Sequence, residues 1–171
     1  MATKPVFLIG FMGSGKTTWG KKLANALERP FVDLDAVLVQ RVGMSIPEYF
    51  KAFGEEQFRI LESEVLREQI NQNTIVSTGG GTPCYFDNMD WILEHGISLY
   101  LDHSVKSLWN RLNASDVNKR PALKGFTGEQ LHQFIDEKLT ERLPYYQRAH
   151  ITVDQVNTSI QELANIVRTY R

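Results

Sequence analysis

Val6-Phe7-Leu8-Ile9-Gly10-Phe11-Met12-Gly13-Ser14-Gly15-Lys16-Thr17 is the stretch on which the fold turns. Four apolar residues suffice for a buried strand. The eight that follow match G-x-x-x-x-G-K-[ST] in full, a pattern that carries meaning only between a strand and a helix. The helix is supplied by Thr17 to Leu27, where Trp19, Leu23, Ala26 and Leu27 recur near helical spacing. In such a loop the glycines let backbone N–H groups converge on phosphate oxygens, and the helix N-terminus adds partial positive charge. Gly13, Ser14, Gly15, Lys16 and Thr17 are therefore the expected nucleotide-binding residues. Lys16 should reach the β- and γ-phosphates and the Thr17 hydroxyl should bind Mg²⁺. The competing reading is a glycine-rich turn with a solvated lysine.

Working outward, strands and helices alternate. Phe31 and Val32 read as a second strand ending at Asp33, Thr74–Ser77 as a third, Ile97–Leu101 as a fourth and Ile151–Val153 as a fifth. Between them, a capping box at Ser45 and Glu48 opens a short helix to about Phe53, stopped by Gly54. Glu55–Gln72 is a longer helix with Phe58, Leu61, Val65, Leu66 and Ile70 on one side. Asp87–Glu94 and Val105–Leu112 are helices. Another runs from Thr127, with Gln130 at the capping-box position, to near Arg142, because Pro144 follows. Ser159 and Glu162 cap a last helix to about Thr169. Asn113–Gly125 is polar, carries Lys119, Arg120 and Lys124, and reads as a loop or lid. Strands separated by helices imply right-handed crossovers and an α/β parallel sheet covered on both faces. Ligands in such sheets sit beyond the carboxyl ends of the strands. Gly10 onward, Asp33 and the Gly79-Gly80-Gly81 run all fall there.

The 171 residues fit one domain, large enough to fold without a disulfide or metal. Nineteen Lys and Arg against twenty Asp and Glu leave a net charge of −1, which argues against a general nucleic-acid binder. The single cysteine, Cys84, excludes an internal disulfide and a cysteine-cluster zinc site. Pro5–Met12 is too short to span a bilayer and lacks the form of a signal peptide, so a cytoplasmic protein is expected. His95, His103, His132 and His150 lack metal-ligand spacing, and no guanine-specificity N-K-x-D motif is present.

Beyond the phosphate loop, five motifs follow in order: Phe31-Val32-Asp33-Leu34-Asp35, Gly54-Glu55-Glu56-Gln57-Phe58-Arg59 with Glu62, Gly79-Gly80-Gly81, Arg120-Pro121, and Arg142-Leu143-Pro144-Tyr145-Tyr146. In this combination, over essentially the whole chain, the sequence resembles the shikimate kinase family. The resemblance implies a nucleoside-monophosphate-kinase-like sheet of five parallel strands in the order 2-3-1-4-5, flanked by helices. One kinase domain over 1–171 would carry a lid at about 113–125 and a substrate-binding helical segment at about 35–62. It also implies phosphorylation of the 3-hydroxyl of shikimate by ATP with Mg²⁺, and a monomer.

Residue by residue, the resemblance places Asp33 near Mg²⁺ through water and Asp35 on the substrate hydroxyls, where it could act as general base. At positions i and i+2 of an extended segment the two carboxylates would face one side. The bland alternative is that Asp35 caps the next helix. Arg59 and Arg142 match the arginines that bind the substrate carboxylate, a task suited to the guanidinium fork. Read alone, Arg59 would be a solvated helix residue paired with Glu62 or Glu55. Gly79, Gly80 and Gly81 match the turn that approaches the substrate ring, and Ser77 matches a contact to the metal's water. Arg120 matches the lid arginine that reaches the transferring phosphate, although Ala122 replaces the family's usual leucine and Asn113–Lys119 is longer than the commonest form. Arg111 corresponds to the adenine-stacking arginine, and Asp154–Asn157 loosely follows the adenine loop. Trp19 and Trp109 read as packing residues and Cys84 as inert. Phe50 and Phe53 either wall the substrate pocket or pack the core.

Two other functions compete. One is a small-molecule kinase of the same fold, such as a gluconate kinase, which would lack the combined motifs. The other is a non-catalytic nucleotide-binding regulator. Retention of Lys16, Asp35, Arg59, Arg120 and Arg142 favours an active enzyme.

Overall fold

The computed structural model describes residues 4–70, 73–115 and 123–170. Strands β1 (Val6–Ile9), β2 (Phe31–Asp33), β3 (Ile75–Ser77), β4 (Ile97–Asp102) and β5 (Ile151–Asp154) form one sheet in the order β2-β3-β1-β4-β5. Every pairing is parallel, with Val6 beside both Ile75 and Ile97, and Asp33 beside Ser77. This is the order the resemblance implies. The helices are α1 (Lys16–Leu27), α2 (Leu34–Val42), α3 (Ile46–Arg67), α4 (Asn88–His95), α5 (Val105–Ala114), α6 (Gly128–Tyr146) and α7 (Ile160–Thr169).

β1 is wholly buried, and its alternation splits the core in two. Phe7 and Ile9 join Leu38 of α2, Leu66 of α3, Ile92 of α4, Leu112 of α5 and Ile135 of α6 on one face. Val6 and Leu8 join Leu23 of α1 and Leu163 and Val167 of α7 on the other. The central strand is thereby fixed from both sides, and the loop that leaves it cannot shift without disturbing both layers. Among the described residues no helix is long and apolar enough to cross a membrane.

Several elements depart from expectation. α2 is not read from the residues themselves, although it falls in the helical segment at about 35–62 that the resemblance implies. Asp33 is its N-cap, accepting from the Asp35 amide at 3.0 Å, so Asp33 rather than Asp35 does the capping. Asp35 accordingly stands in the first helical turn and not in the strand. The two helices expected on either side of Gly54 run on as α3, bent at Gly54, whose φ of 82° and ψ of 171° are non-helical. That φ favours glycine, so the residue bends the helix where the sequence suggests a stop. The Ser45–Glu48 and Ser159–Glu162 capping boxes are both formed. Thr127 stands at the N-cap of α6 but makes no side-chain capping bond. α6 also continues through Pro144 to Tyr146. A proline near a helix end forfeits one backbone bond. Here the last turn is held by the fully buried Tyr146, which stacks on Tyr100 at 5.2 Å and donates to the Gly80 carbonyl.

Candidate active site

A cleft of about 730 Å³ opens at the carboxyl end of the sheet, lined by Gly13, Lys16, Thr17, Asp33, Asp35 and Gly79 among others. The loop from β1 to α1 forms its floor. Gly10, Gly13 and Gly15 have φ of 146°, 79° and 91°, values that L side chains rarely adopt. A Cβ at Gly13 would also lie 2.9 Å from Leu112.

The loop carbonyls are bound from behind. Arg111 Nε donates to the Gly13 carbonyl at 2.6 Å and Gln155 Nε2 to the Ser14 carbonyl at 2.7 Å. His103 Nε2 lies 3.1 Å from that same carbonyl, so it carries the proton, and Nδ1 accepts from Ser107 Oγ at 2.9 Å. Burial lowers the His103 pKa, helped by Arg111, which keeps this neutral tautomer at pH 7. The curvature of the phosphate loop is thus set by residues following β4, on α5 and following β5. Arg111 is expected here from the resemblance, and Gln155 falls in the segment that loosely follows the adenine loop; His103 carries no motif signal, because its role depends on strand order. Lys16 is 8% exposed and donates to the carbonyls of Gly10 (2.7 Å) and Phe11 (2.9 Å).

Thr17 Oγ1 donates to Asp33 Oδ2 at 3.0 Å, joining two hard oxygen ligands from α1 and β2. Among the described residues no group of three or more His, Cys, Asp or Glu is arranged around a metal position. A hydroxyl and one carboxylate beside a phosphate cradle suit Mg²⁺, which takes few protein ligands and completes its shell with phosphate and water. The residues present therefore fit the ion. Ser77 is buried at the end of β3 and lines the same cleft.

Asp35 points into the cleft, with part of its surface open to solvent. Burial, then the charges of Asp33 and Glu62, push its pKa up to about 6, against the opposing pull of Lys16 and Arg59. A carboxylate so destabilised is a better proton acceptor than an ordinary aspartate.

The three glycines after β3 show why they are glycines. None has a positive φ, so turn conformation does not require them. Each instead clears space for one charged side chain. A Cβ at Gly79 would lie 2.9 Å from Glu62 Oε2, one at Gly80 3.1 Å from Arg142 Nη1, and one at Gly81 2.8 Å from Arg59 Nη1. Glu62 is 2% exposed, accepts from Thr82 Oγ1 at 2.8 Å and pairs with Arg59 Nη1 at 3.0 Å. Arg59 also reaches Glu55 Oε1 at 3.3 Å and sits 4.1 Å from the centroid of the Tyr85 ring. The ion pairs considered in the sequence reading are therefore present, but the guanidinium is largely buried against Gly81. Arg142 stands over Phe11, and its buried Nη1 has no hydrogen-bond partner among the described residues.

Gly81→Ala should therefore damage the site more than the fold. The flexible end of Arg59 can yield to the new methyl, so the midpoint of thermal unfolding should move little. The guanidinium would be pushed off its position, and the KM for a carboxylate substrate should rise about tenfold or more. Steady-state kinetics beside a thermal melt would check this. An unchanged KM would show that the Arg59 position does not matter.

Arg120 lies outside the described residues, as does most of the expected lid. Phe50 packs on Phe58 at 4.6 Å, whereas Phe53 is 54% exposed beside Tyr49. Trp109 donates to the Gly128 carbonyl and Trp19 packs on the core, as expected of packing residues. Burial pushes the Cys84 thiol up to about 11, consistent with an inert side chain.

Comparison with known proteins agrees with this site. Residues 12–170 match the family model described as shikimate kinase. A curated shikimate kinase from Parabacteroides distasonis is 44% identical over 152 residues, covering 88% of this chain and 87% of that protein. One from Bacteroides fragilis is 37% identical over 174 residues, covering 96% and 97%. The crystal structure of the shikimate kinase from Bacteroides thetaiotaomicron superposes with a TM-score of 0.90 at 35% identity, over 96% of this chain and 98% of that one. That of the Acinetobacter baumannii enzyme, in complex with shikimate, gives 0.84 at 32% identity over 97% and 91%. A gluconokinase from Sinorhizobium meliloti, at 17% identity and a TM-score of 0.51, shares the fold alone. With the phosphate loop, the convergent arginines and these relatives in agreement, the chain belongs to the shikimate kinase family.

Proposed function

We propose that this enzyme transfers the γ-phosphoryl group of ATP to the 3-hydroxyl of shikimate, a step in aromatic amino acid biosynthesis. One observation carries the reading. The guanidinium groups of Arg59 and Arg142 lie against the consecutive glycines 81 and 80, and the same glycine run, through Gly79 and Gly80, lines the cleft whose floor is a phosphate loop. Two guanidinium forks on one wall suit a carboxylate, and the loop suits a triphosphate.

In this reading Arg59 and Arg142 hold the substrate carboxylate, while Gly79, Gly80 and Gly81 leave room for both the clamp and the ring. Asp35 accepts the hydrogen bond of the attacking hydroxyl and takes its proton as the new P–O bond forms. Gly13, Ser14, Gly15, Lys16 and Thr17 hold the phosphates, with Arg111 towards the base. Thr17 and Asp33 would hold Mg²⁺, which supplies charge neutralisation to the phosphates. Arg120 would be brought to the transferring group by the lid at about 113–125, and the helical segment at about 35–62 would bind shikimate. Catalysis is positional and electrostatic, with no covalent enzyme intermediate. The enzyme would act as a cytoplasmic monomer, as one domain over 1–171, with no nucleic-acid or membrane partner.

The test is coupled ADP release with shikimate, quinate and gluconate as acceptors. Shikimate alone should support rapid Mg²⁺-dependent turnover. No shikimate-dependent ADP release would remove the reading, and preference for gluconate would transfer it to the other small-molecule kinases of this fold.

A further inference from the structure

We propose that Tyr85 is a positioning residue for the clamp, holding the Arg59 guanidinium through its ring and holding back Glu55, whose carboxylate oxygen the two side chains share. The inference rests on the reading that Arg59 binds the substrate carboxylate.

Tyr85 directly follows the short 3-10 turn Thr82–Cys84 that continues the glycine run. The turn is fixed from beneath. Thr82 Oγ1 donates to Glu62, and Asn88 Nδ2 donates to the Thr82 carbonyl at 2.9 Å. Asn88 is fully buried, and its Oδ1 accepts from Ser63 Oγ at 2.7 Å and Arg67 Nη1 at 2.9 Å. The same buried framework thus locates α3, which carries Arg59, and the turn that presents Tyr85.

Tyr85 then acts on Arg59 twice. The centroid of its ring lies 4.1 Å from the guanidinium carbon, a cation–π distance, against an Arg59 side chain that is 12% exposed. Its hydroxyl donates to Glu55 Oε1 at 2.9 Å, the oxygen that also accepts from Arg59 Nη2 at 3.3 Å and Nε at 3.4 Å. Those two contacts are long for a charge-assisted pair. Glu55 is therefore held by Tyr85 and only loosely engages the arginine edge. A Glu55 freed from Tyr85 could close on Arg59 as a bidentate pair and compete with the substrate carboxylate for the same N–H groups. Tyr85 carries no family motif signal; only the packing shows it.

The experiment is steady-state kinetics on Tyr85→Leu, Tyr85→Phe and Glu55→Gln, each with a thermal melt, beside the unaltered enzyme and Arg59→Ala. Tyr85→Leu loses both contacts and should raise the shikimate KM about tenfold, with kcat within about twofold and the ATP KM unchanged. Tyr85→Phe keeps the ring and should raise it about threefold, and adding Glu55→Gln to Tyr85→Phe should reverse that rise by removing the competing charge. An unchanged shikimate KM in folded Tyr85→Leu would overturn the proposal, as would equal losses in kcat and both KM values. If Tyr85→Leu does not fold, the Tyr85→Phe rise and its reversal by Glu55→Gln decide, and absence of either overturns the proposal. Failure of the unaltered enzyme to use shikimate, or of Arg59→Ala to raise its KM, would instead remove the functional reading itself.

Discussion

Asp35→Asn should nearly abolish turnover while both substrates still bind. The amide matches the carboxylate in shape and can still accept a hydrogen bond, so the shikimate KM should change by no more than a few fold. It cannot take the proton of the attacking hydroxyl, and loss of a positioned base lowers kcat by roughly 10²–10⁴-fold. The environment of Asp35 supports this division of labour. Burial and the neighbouring carboxylates push its pKa up to about 6, so its charged form is disfavoured in the resting site and proton uptake is eased. The sign follows for pH. Above that pKa the carboxylate is ready to accept, and below it the group is already protonated, so kcat/KM for shikimate should decline as pH falls through about 6. A divalent cation beside Asp33 would stabilise the charged form and carry this acidic limb to lower pH, so the limb should move with Mg²⁺ concentration. In folded protein the raised pKa is a mild burden, present when the group is ionised and relieved as pH falls through about 6. Because solvent still reaches Asp35, Asp35→Asn should raise the unfolding temperature only slightly. Stopped-time ADP assays across pH, with shikimate binding measured separately, would check all of this. A variant turning over at a near-normal rate would exclude Asp35 as the base.

The fold was legible because its signals are local and mutually consistent. Val6–Ile9 is an uninterrupted apolar run, Gly15-Lys16-Thr17 opens a helix, and alternating elements leave a parallel sheet as the economical solution. The misreadings are also local. Gly54 bends α3 because a helix can resume beyond one residue of positive φ when its apolar stripe continues, as Phe58, Val65 and Leu66 do here. Pro144 is overridden by the burial of Tyr146. Asp35 falls in a helix because Asp33 caps the turn ahead of it, a choice between two aspartates that spacing alone cannot make. Placement near the cleft was legible where a motif carries the residue, as at Lys16, Thr17 and Arg142. It was not legible where a residue acts through another. Thr82, Tyr85, Asn88 and His103 are ordinary in sequence, and each matters through a partner at least 20 positions away. The glycine run lies between these cases. Its place beside the substrate could be inferred, but the three charged side chains it admits could not.

Arg142→Ala should give the largest selective loss of shikimate affinity. The side chain lies over Phe11, one of its terminal nitrogens is buried without a partner among the described residues, and Gly80 has been kept bare beside it. A buried donor without a partner is an unfavourable arrangement in the protein alone, and it becomes favourable when a carboxylate takes the proton. Removing the guanidinium therefore costs the fold little, and the unfolding temperature should stay within a few degrees. The bound substrate would lose a charge-assisted contact and keep a desolvated carboxylate, a loss of roughly 2–5 kcal/mol, or about 30-fold to several thousand-fold in KM. Arg142→Lys should recover only part of this, since an ammonium offers a point charge where the site is shaped for a planar fork. The ATP KM should hold, because the phosphate loop is set by Arg111, His103 and Gln155 on the other side of the cleft. Once shikimate is saturating, kcat should fall far less than kcat/KM, because in the proposed arrangement Arg142 would meet the carboxylate and not the transferring phosphate. Added guanidinium ion at millimolar concentration should restore part of the activity of Arg142→Ala and none of that of Asp35→Asn. Equal weakening of ATP and shikimate would show that Arg142 supports the whole cleft instead of one substrate.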